Sequence, residues 1–178
     1  MSPRVEAVRG DITSQRLDAI VNAANRGLLG GGGVDGAIHA AAGPILDEDC
    51  RRLRGSTYPD GLPTGEAVAT RGGNLSARYV IHTVGPRHWE HGDGGVDLLA
   101  SCHAASLGVA DGLGVATIAF PAISCGVFGW SPRDAAPVAV GAVRDYLRAY
   151  PDSGITLVRF VLFDERARSA FEEACSGQ

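Results

Sequence analysis

The chain has 178 residues, 45% of them hydrophobic and 20% charged, with a formal net charge of −4. That length suits one domain over residues 1–178 with a core large enough to fold alone, and the composition lies far from that of disordered chains. The acidic balance excludes an electrostatic footprint for a nucleic-acid backbone or an anionic membrane surface, so an anionic ligand has to be held by local structure. Cys50, Cys102, Cys125 and Cys175 form no C-x-x-C pair, which counts against metal and thioredoxin-like motifs and predicts free thiols in a reducing compartment. The opening Met-Ser-Pro-Arg-Val-Glu lacks an apolar signal core, and no stretch approaches the roughly 18 apolar residues of a membrane span. The expected location is the cytoplasm, with no membrane partner.

Short β-branched runs alternate with longer Ala-rich stretches, which predicts a three-layer α/β domain. Val5–Val8 reads as an opening strand ended by Gly10-Asp11, and Ala19–Asn22 as a second, buried strand. A Gly-rich loop and one helix from Val34 to Arg52 follow. Ala67–Thr70 and Tyr79–Val84 are the next strands, the latter closed by Gly85-Pro86, and His88–Gly95 is exposed loop. Val96–Leu113 is helical by spacing and Thr117–Pro121 is a buried strand. Ser131 caps a helix running to Tyr150, with Pro132 at its first position and Asp134 completing a capping box. Ile155–Phe163 is the last strand and Glu165–Ala174 the last helix. There is no linker, repeat or low-complexity segment.

The segment from Asn22 to His39 carries four successive glycines, Gly30–Gly33, whose ordering costs backbone entropy that stability alone does not explain. Bare backbone between a buried strand and a helix N-terminus lets main-chain N–H groups approach an anion, with the helix dipole favouring negative charge. A phosphate fits. The run lacks the Gly-Lys-Ser/Thr ending of a P-loop, which disfavours NTP hydrolysis. Gly31, Gly33 and Gly36 satisfy G-x-G-x-x-G, but the loop is too long for a Rossmann turn and no acidic residue ends a strand about 20 residues on. A mobile glycine linker is the bland alternative; the flanking Asn22-Ala23-Ala24-Asn25 and Ile38 argue against it. A second Gly-rich turn, Pro121–Trp130, repeats the order of strand, bare backbone and capped helix. In an open α/β sheet the carboxyl ends of the strands line the ligand crevice, so the two loops are placed to hold one pyrophosphate from opposite sides; the alternative is an ordinary βα connection.

Gly10-Asp11-Ile12-Thr13, the Asn22–Gly43 segment, Tyr79–Pro86 and Ile123–Gly129, in that order, resemble a macrodomain of the MacroD type over nearly the whole chain. The resemblance implies an α/β/α sandwich around a mixed, largely parallel sheet that binds ADP-ribose and removes mono-ADP-ribose from Asp and Glu side chains, and also deacetylates O-acetyl-ADP-ribose. It implies that Asp11 accepts a hydrogen bond from the adenine amine beside the Ile12 backbone. Asn25 then holds the distal ribose, Gly32, Gly33 and Val34 line the distal ribose and phosphates, Ser124, Cys125, Gly126, Val127 and Phe128 cover the pyrophosphate, and Asn22 is a further ligand-binding residue. Phe163 packs on adenine, and Asp35 is the catalytic aspartate, with Asn25 beside it.

The residue types agree with those roles. A carboxylate only accepts hydrogen bonds and so selects an amine, whereas Asn both donates and accepts and so matches a sugar diol. Asp35 stands at a helix start, where the dipole favours negative charge, and an ionised carboxylate orients a water or a ribose hydroxyl. His39, one helical turn on, is placed to pair with Asp35, although a lone helical His is more often structural; His82, in an apolar strand, reads as a satisfied core histidine. Cys125 has no His near it in sequence to make it a nucleophile. Asp11 as a turn cap and Asn25 as a loop brace are the plain readings of those two residues. Ser131 stands where the family has Pro, and Gly72-Gly73-Asn74 replaces its aromatic and Pro-containing turn. No metal or cofactor is expected: zinc-dependent macrodomains carry Cys and His ligands in this loop and helix, where the present chain has only glycines and His39. The rival class is a binding module that reads ADP-ribosylation without removing it, and a sugar-nucleotide phosphatase lacks its carboxylate cluster. Expected partners are ADP-ribose and ADP-ribosylated proteins, with ADP-ribosylated nucleic acid left open, for a monomeric chain.

Overall fold

The computed structural model describes residues 2–177. It contains strands β1 (Arg4–Arg9), β2 (Ala19–Ala23), β3 (Ala67–Arg71), β4 (Tyr79–Thr83), β5 (Thr117–Phe120) and β6 (Leu157–Leu162). The helices are α1 (Gly33–Ala42), α2 (Pro44–Gly55), α3 (Gly94–Gly112), α4 (Pro132–Ala149) and α5 (Glu165–Ser176), and a 3₁₀ turn spans Ile12–Ser14. The strands pair in the order β1-β6-β5-β2-β4-β3, parallel throughout except that β3 runs antiparallel to β4. This is the mixed, largely parallel sheet expected.

Side chains alternate across a strand, so one run of apolar residues supplies two cores. Ile20, Val80, Ala119 and Val161 face α1 and α2, where Ile38, Leu46 and Cys50 cover them. Ala19, Val21, Ile81, Ile118, Phe120 and Phe160 face the other way, against Leu99 of α3, Val140 of α4 and Phe171 of α5. Helices on both faces make the three layers. No described helix is long and apolar enough to cross a membrane.

The strands lie where alternation predicts them, with ends moved by a residue or two. The helix expected from Val34 to Arg52 is instead two helices, a correction with a clear cause. Gly43 adopts φ 78°, ψ −163°, a conformation essentially restricted to glycine, and Pro44 supplies no N–H to continue α1. Ser131 caps α4 by accepting from the Asp134 N–H at 3.1 Å with Pro132 at the first position; the return bond of a capping box is not among the described hydrogen bonds. Asp164 caps α5 in the same way, from the Ala167 N–H at 2.8 Å. The N-cap of α1 is Gly32, and no side chain closes that end.

Candidate functional site

β1, β6, β5 and β2 are neighbours and parallel, so their carboxyl ends lie side by side on one edge of the sheet. Across that edge, in order, stand Asp11 after β1, Phe163 after β6, the Pro121–Trp130 loop after β5 and the Ala24–Gly32 loop after β2. With strands about 4.8 Å apart, the row is about 14 Å long. The Gly10 N–H donates to Leu162 O at 3.0 Å, which ties Asp11 to Phe163. Phe163 is 91% exposed, so its ring is free to cover a flat ligand. Asp11 caps the 3₁₀ turn: Oδ1 accepts from the N–H (2.9 Å) and hydroxyl (2.7 Å) of Thr13, and these bonds hold its carboxyl below the usual range. Oδ2 makes none of the described hydrogen bonds. Ile12 is buried beneath the turn.

At the other end of the row, Asn25 braces its own loop, accepting from the Leu28 N–H at 3.1 Å and donating to Gly30 O at 3.0 Å. One N–H and one lone pair of that amide remain. Gly31 sits between Asn25 and Asp35: a Cβ there would lie 3.1 Å from Asp35 Oδ2 and 3.4 Å from Asn25 Nδ2. The two residues expected beside the reacting carbon are therefore neighbours. Gly36 is needed because a Cβ would come within 2.4 Å of Gly31 O. Gly31, Gly32 and Gly33 are exposed, and the first amides of α1, Val34 among them, have no partner one turn back. An uncapped helix end with bare glycines at its mouth is built to meet an anion.

Behind this loop runs a buried polar chain. Asn22 is fully buried and donates one amide hydrogen to Asp35 Oδ1 (2.7 Å) and the other to His82 Nδ1 (3.1 Å). Its contact is thus with Asp35 rather than with the crevice surface. Because His82 Nδ1 accepts, its proton sits on Nε2 and goes to Thr70 Oγ1 at 2.9 Å. Desolvation pushes His82 down to about 4, so the ring is neutral. On the far side of Asp35, His39 Nε2 lies 3.3 Å from Oδ1, a charge contact without the alignment of a hydrogen bond, while His39 Nδ1 meets Asp47 Oδ1 at 2.7 Å. The Asp35 carboxylate first, and Asp47 after it, raise the His39 pKa against its partial desolvation.

In the loop after β5, Ser124 and Cys125 are largely buried, Gly126 and Val127 are exposed and Phe128 is half-buried. None of the described hydrogen bonds engages the N–H of Gly126, Val127 or Phe128. The loop is steadied from below by Trp130 N–H to Ser124 O (3.0 Å) and from the side by His88 N–H to Phe128 O (2.8 Å), with the Arg87 guanidinium over the Phe128 ring. Leu28 (φ 59°) and Ser124 (φ 68°) are the described non-glycine residues in the left-handed region, one in each loop. Such conformers cost on the order of 1–3 kcal/mol each and gather at ligand sites. Asn22 Oδ1, His39 Nε2 and Ser124 Oγ, three of the five buried side-chain polar atoms without a partner among the described residues, also lie here.

His39, Cys50 and His82 bring ligand-type atoms within 4.8 Å of one another, the described cluster nearest to a metal set. Most of its donors are already engaged: His39 Nδ1 meets Asp47, the His82 nitrogens serve Asn22 and Thr70, and desolvation pushes the Cys50 thiol up to about 12, away from the thiolate a metal needs, while His39 Nε2 lies against Asp35. Burial likewise pushes Cys125 up to about 12, which suits a packing residue rather than a nucleophile, and all four cysteines are free. Thr70, Asp47 and Arg54 were not legible from motifs. Arg54 donates to Gly27 O (3.0 Å), Tyr58 O (3.0 Å) and Pro59 O (3.2 Å), holding the β2 loop against the end of α2.

The Macro domain family model matches residues 21–139, and the chain belongs to that family. A macro domain-containing protein of Streptomyces coelicolor is 56% identical over 94% of this chain and 95% of its own length. Among solved structures, an Oceanobacillus iheyensis macrodomain with ADP superposes with TM-score 0.91 at 42% identity, covering 97% of this chain and 90% of that one. A Trypanosoma brucei macrodomain in complex with ADP-ribose gives TM-score 0.85 at 39% identity, over 97% of this chain and 69% of that one.

Proposed function

We propose that residues 1–178 form a single macrodomain of the MacroD type that binds ADP-ribose and hydrolyses mono-ADP-ribosyl esters on Asp and Glu side chains, as well as O-acetyl-ADP-ribose. The observation that carries the reading is the order of groups along the strand ends: a carboxylate and an exposed aromatic at one end, two sets of free backbone N–H groups in the middle, and Asn25 beside Asp35 at the other. That sequence of chemistries matches adenine, pyrophosphate and distal ribose in turn. The ADP and ADP-ribose complexes of similar macrodomains support it.

In this reading Asp11 Oδ2 accepts from the adenine amine beside the Ile12 backbone, and Phe163 stacks on the base. The amides around Gly32, Gly33 and Val34, and those of Ser124, Gly126, Val127 and Phe128, hold the phosphates, with Cys125, whose N–H is bound to Ala122 O, covering the pyrophosphate in the same loop. Asn25 bonds the distal ribose, and Asn22, held by His82, aims Asp35. Water attacks the anomeric carbon, positioned by Asp35 and the substrate's own phosphate, and the protein carboxylate leaves. A module that only reads the modification needs the loops but not a buried carboxylate braced on two sides, and that bracing favours the enzyme. The test is release of ADP-ribose from a target modified on glutamate: steady release supports the hydrolase, and tight binding of ADP-ribose without release supports the reader.

A further inference from the structure

We propose that Asp47 is a positioning residue for the hydrolysis, holding His39 against Asp35 and giving the proton of each turnover a route from the buried carboxylate to solvent. This rests on the hydrolase reading. In that reaction an O–H bond of water breaks as oxygen bonds to the anomeric carbon, and the electron pair of the broken C–O bond leaves on the glutamate carboxylate. Near neutral pH the released carboxylate stays ionised, so each turnover leaves one proton behind, and Asp35, acting as base to the water it positions, takes it. Asp35 is buried, with 8% of its side chain exposed, and its amide neighbours, Asn22 with both hydrogens committed and Asn25 across Gly31, are not titratable. His39 is the next titratable group, and beyond it Asp47 has 42% of its side chain in solvent. With the ring neutral and its proton on Nδ1, Nε2 takes the proton on Asp35 while Nδ1 gives its own to Asp47, which releases it to solvent; proton exchange with solvent then returns the ring to the Nδ1–H tautomer, so that charge and tautomer are both restored for the next turnover. The groups facing His39 are Asp35 of α1, Asp47 and Cys50 of α2 and His82 of β4; the last two carry no charge near neutral pH.

Asp47→Asn keeps the shape and can still accept from His39 Nδ1, but it cannot carry a proton. Its kcat is expected to fall about 10-fold or more, less than the roughly 10²–10⁴ of a group acting on the reacting atoms. ADP-ribose affinity is expected to stay unchanged, and added imidazole buffer to restore turnover in Asp47→Ala. NMR titration is expected to show the His39 pKa lower in Asp47→Asn than in the wild type, because one of two flanking carboxylates is gone. Glu48→Gln, on the exposed side of the same turn, is the control. An Asp47→Asn enzyme with wild-type kcat would overturn the outlet while leaving the hydrolase reading intact, as would a loss that buffer does not relieve with the His39 pKa unmoved. A wild type that never hydrolyses would remove both.

Discussion

Asp11 performs two tasks with two oxygens: Oδ1 caps the turn at Thr13 and Oδ2 stays available. An amide has only one acceptor atom, so Asp11→Asn can cap or accept, but not both. Asp11→Asn and Asp11→Ala are therefore both expected to weaken ADP-ribose binding by about 1–3 kcal/mol, the range for losing a charged hydrogen-bond partner, with the alanine variant also losing the turn cap. Calorimetry beside urea unfolding separates the two effects, and unchanged affinity would place adenine elsewhere. The same residue shows how far sequence reaches. The motifs mark Asp11 and Asn25 as candidate site residues and their residue types also mark them as local braces, and the structure gives each its brace with a polar atom left over. His82 was legible as a core histidine because an apolar strand surrounds it. That it aims Asn22 at Asp35 was not, since the partners are 60 residues apart in sequence.

The strands and glycine loops were legible because alternation and bare backbone are local signals. The division between α1 and α2 was not read, and with it went Asp47. In one straight helix Asp47 would sit eight residues and about 12 Å along the axis from His39; the turn at Gly43-Pro44 folds it back to 2.7 Å. Gly43 thus sets the contact between His39 and Asp47 as well as the break between the helices. Gly43→Ala is expected to destabilise by about 1–3 kcal/mol for the backbone conformation alone, and its Cβ would also meet Asn74 Nδ2 at 2.8 Å. Gly141, inside α4 with open space around a Cβ, is expected to behave oppositely, Gly141→Ala stabilising by roughly 0.5–1 kcal/mol. Urea unfolding of the pair checks the sign of each. A neutral Gly43→Ala would mean the turn tolerates a side chain.

One buried histidine sits in each of the two cores: His82 under α1 and α2, and His103 of α3 beside Phe120 and Phe160. Desolvation lowers both to about 4 from 6.5. The unfolded chain therefore binds these protons at a higher pH than the folded one, and stability falls as pH drops from 6.5 towards about 4, by on the order of 3 kcal/mol per histidine. His39 works in the other direction: its raised pKa contributes stability that is complete below the unfolded value and is lost as pH rises through the folded one. Carboxyls held low, such as Asp49 beside Arg71, lose their contribution only as pH falls below the ordinary carboxylate range. Urea midpoints followed across the window from 6.5 to about 4 are expected to fall steadily, and a flat profile would contradict the assignment of two neutral buried rings.

Asp35 is the carboxylate that Asn22 and His39 hold in place beside Asn25. The decisive measurement is single-turnover hydrolysis of an ADP-ribosyl-glutamate ester by wild type and Asp35→Ala, paired with an ADP-ribose titration of each. Because a group that positions or activates water acts mainly in the transition state, the variant is expected to lose roughly 10²–10⁴ in rate. It should still bind ADP-ribose through the backbone N–H groups that the substitution leaves in place. A wild type that hydrolyses the ester and an Asp35→Ala variant that matches it would contradict the account.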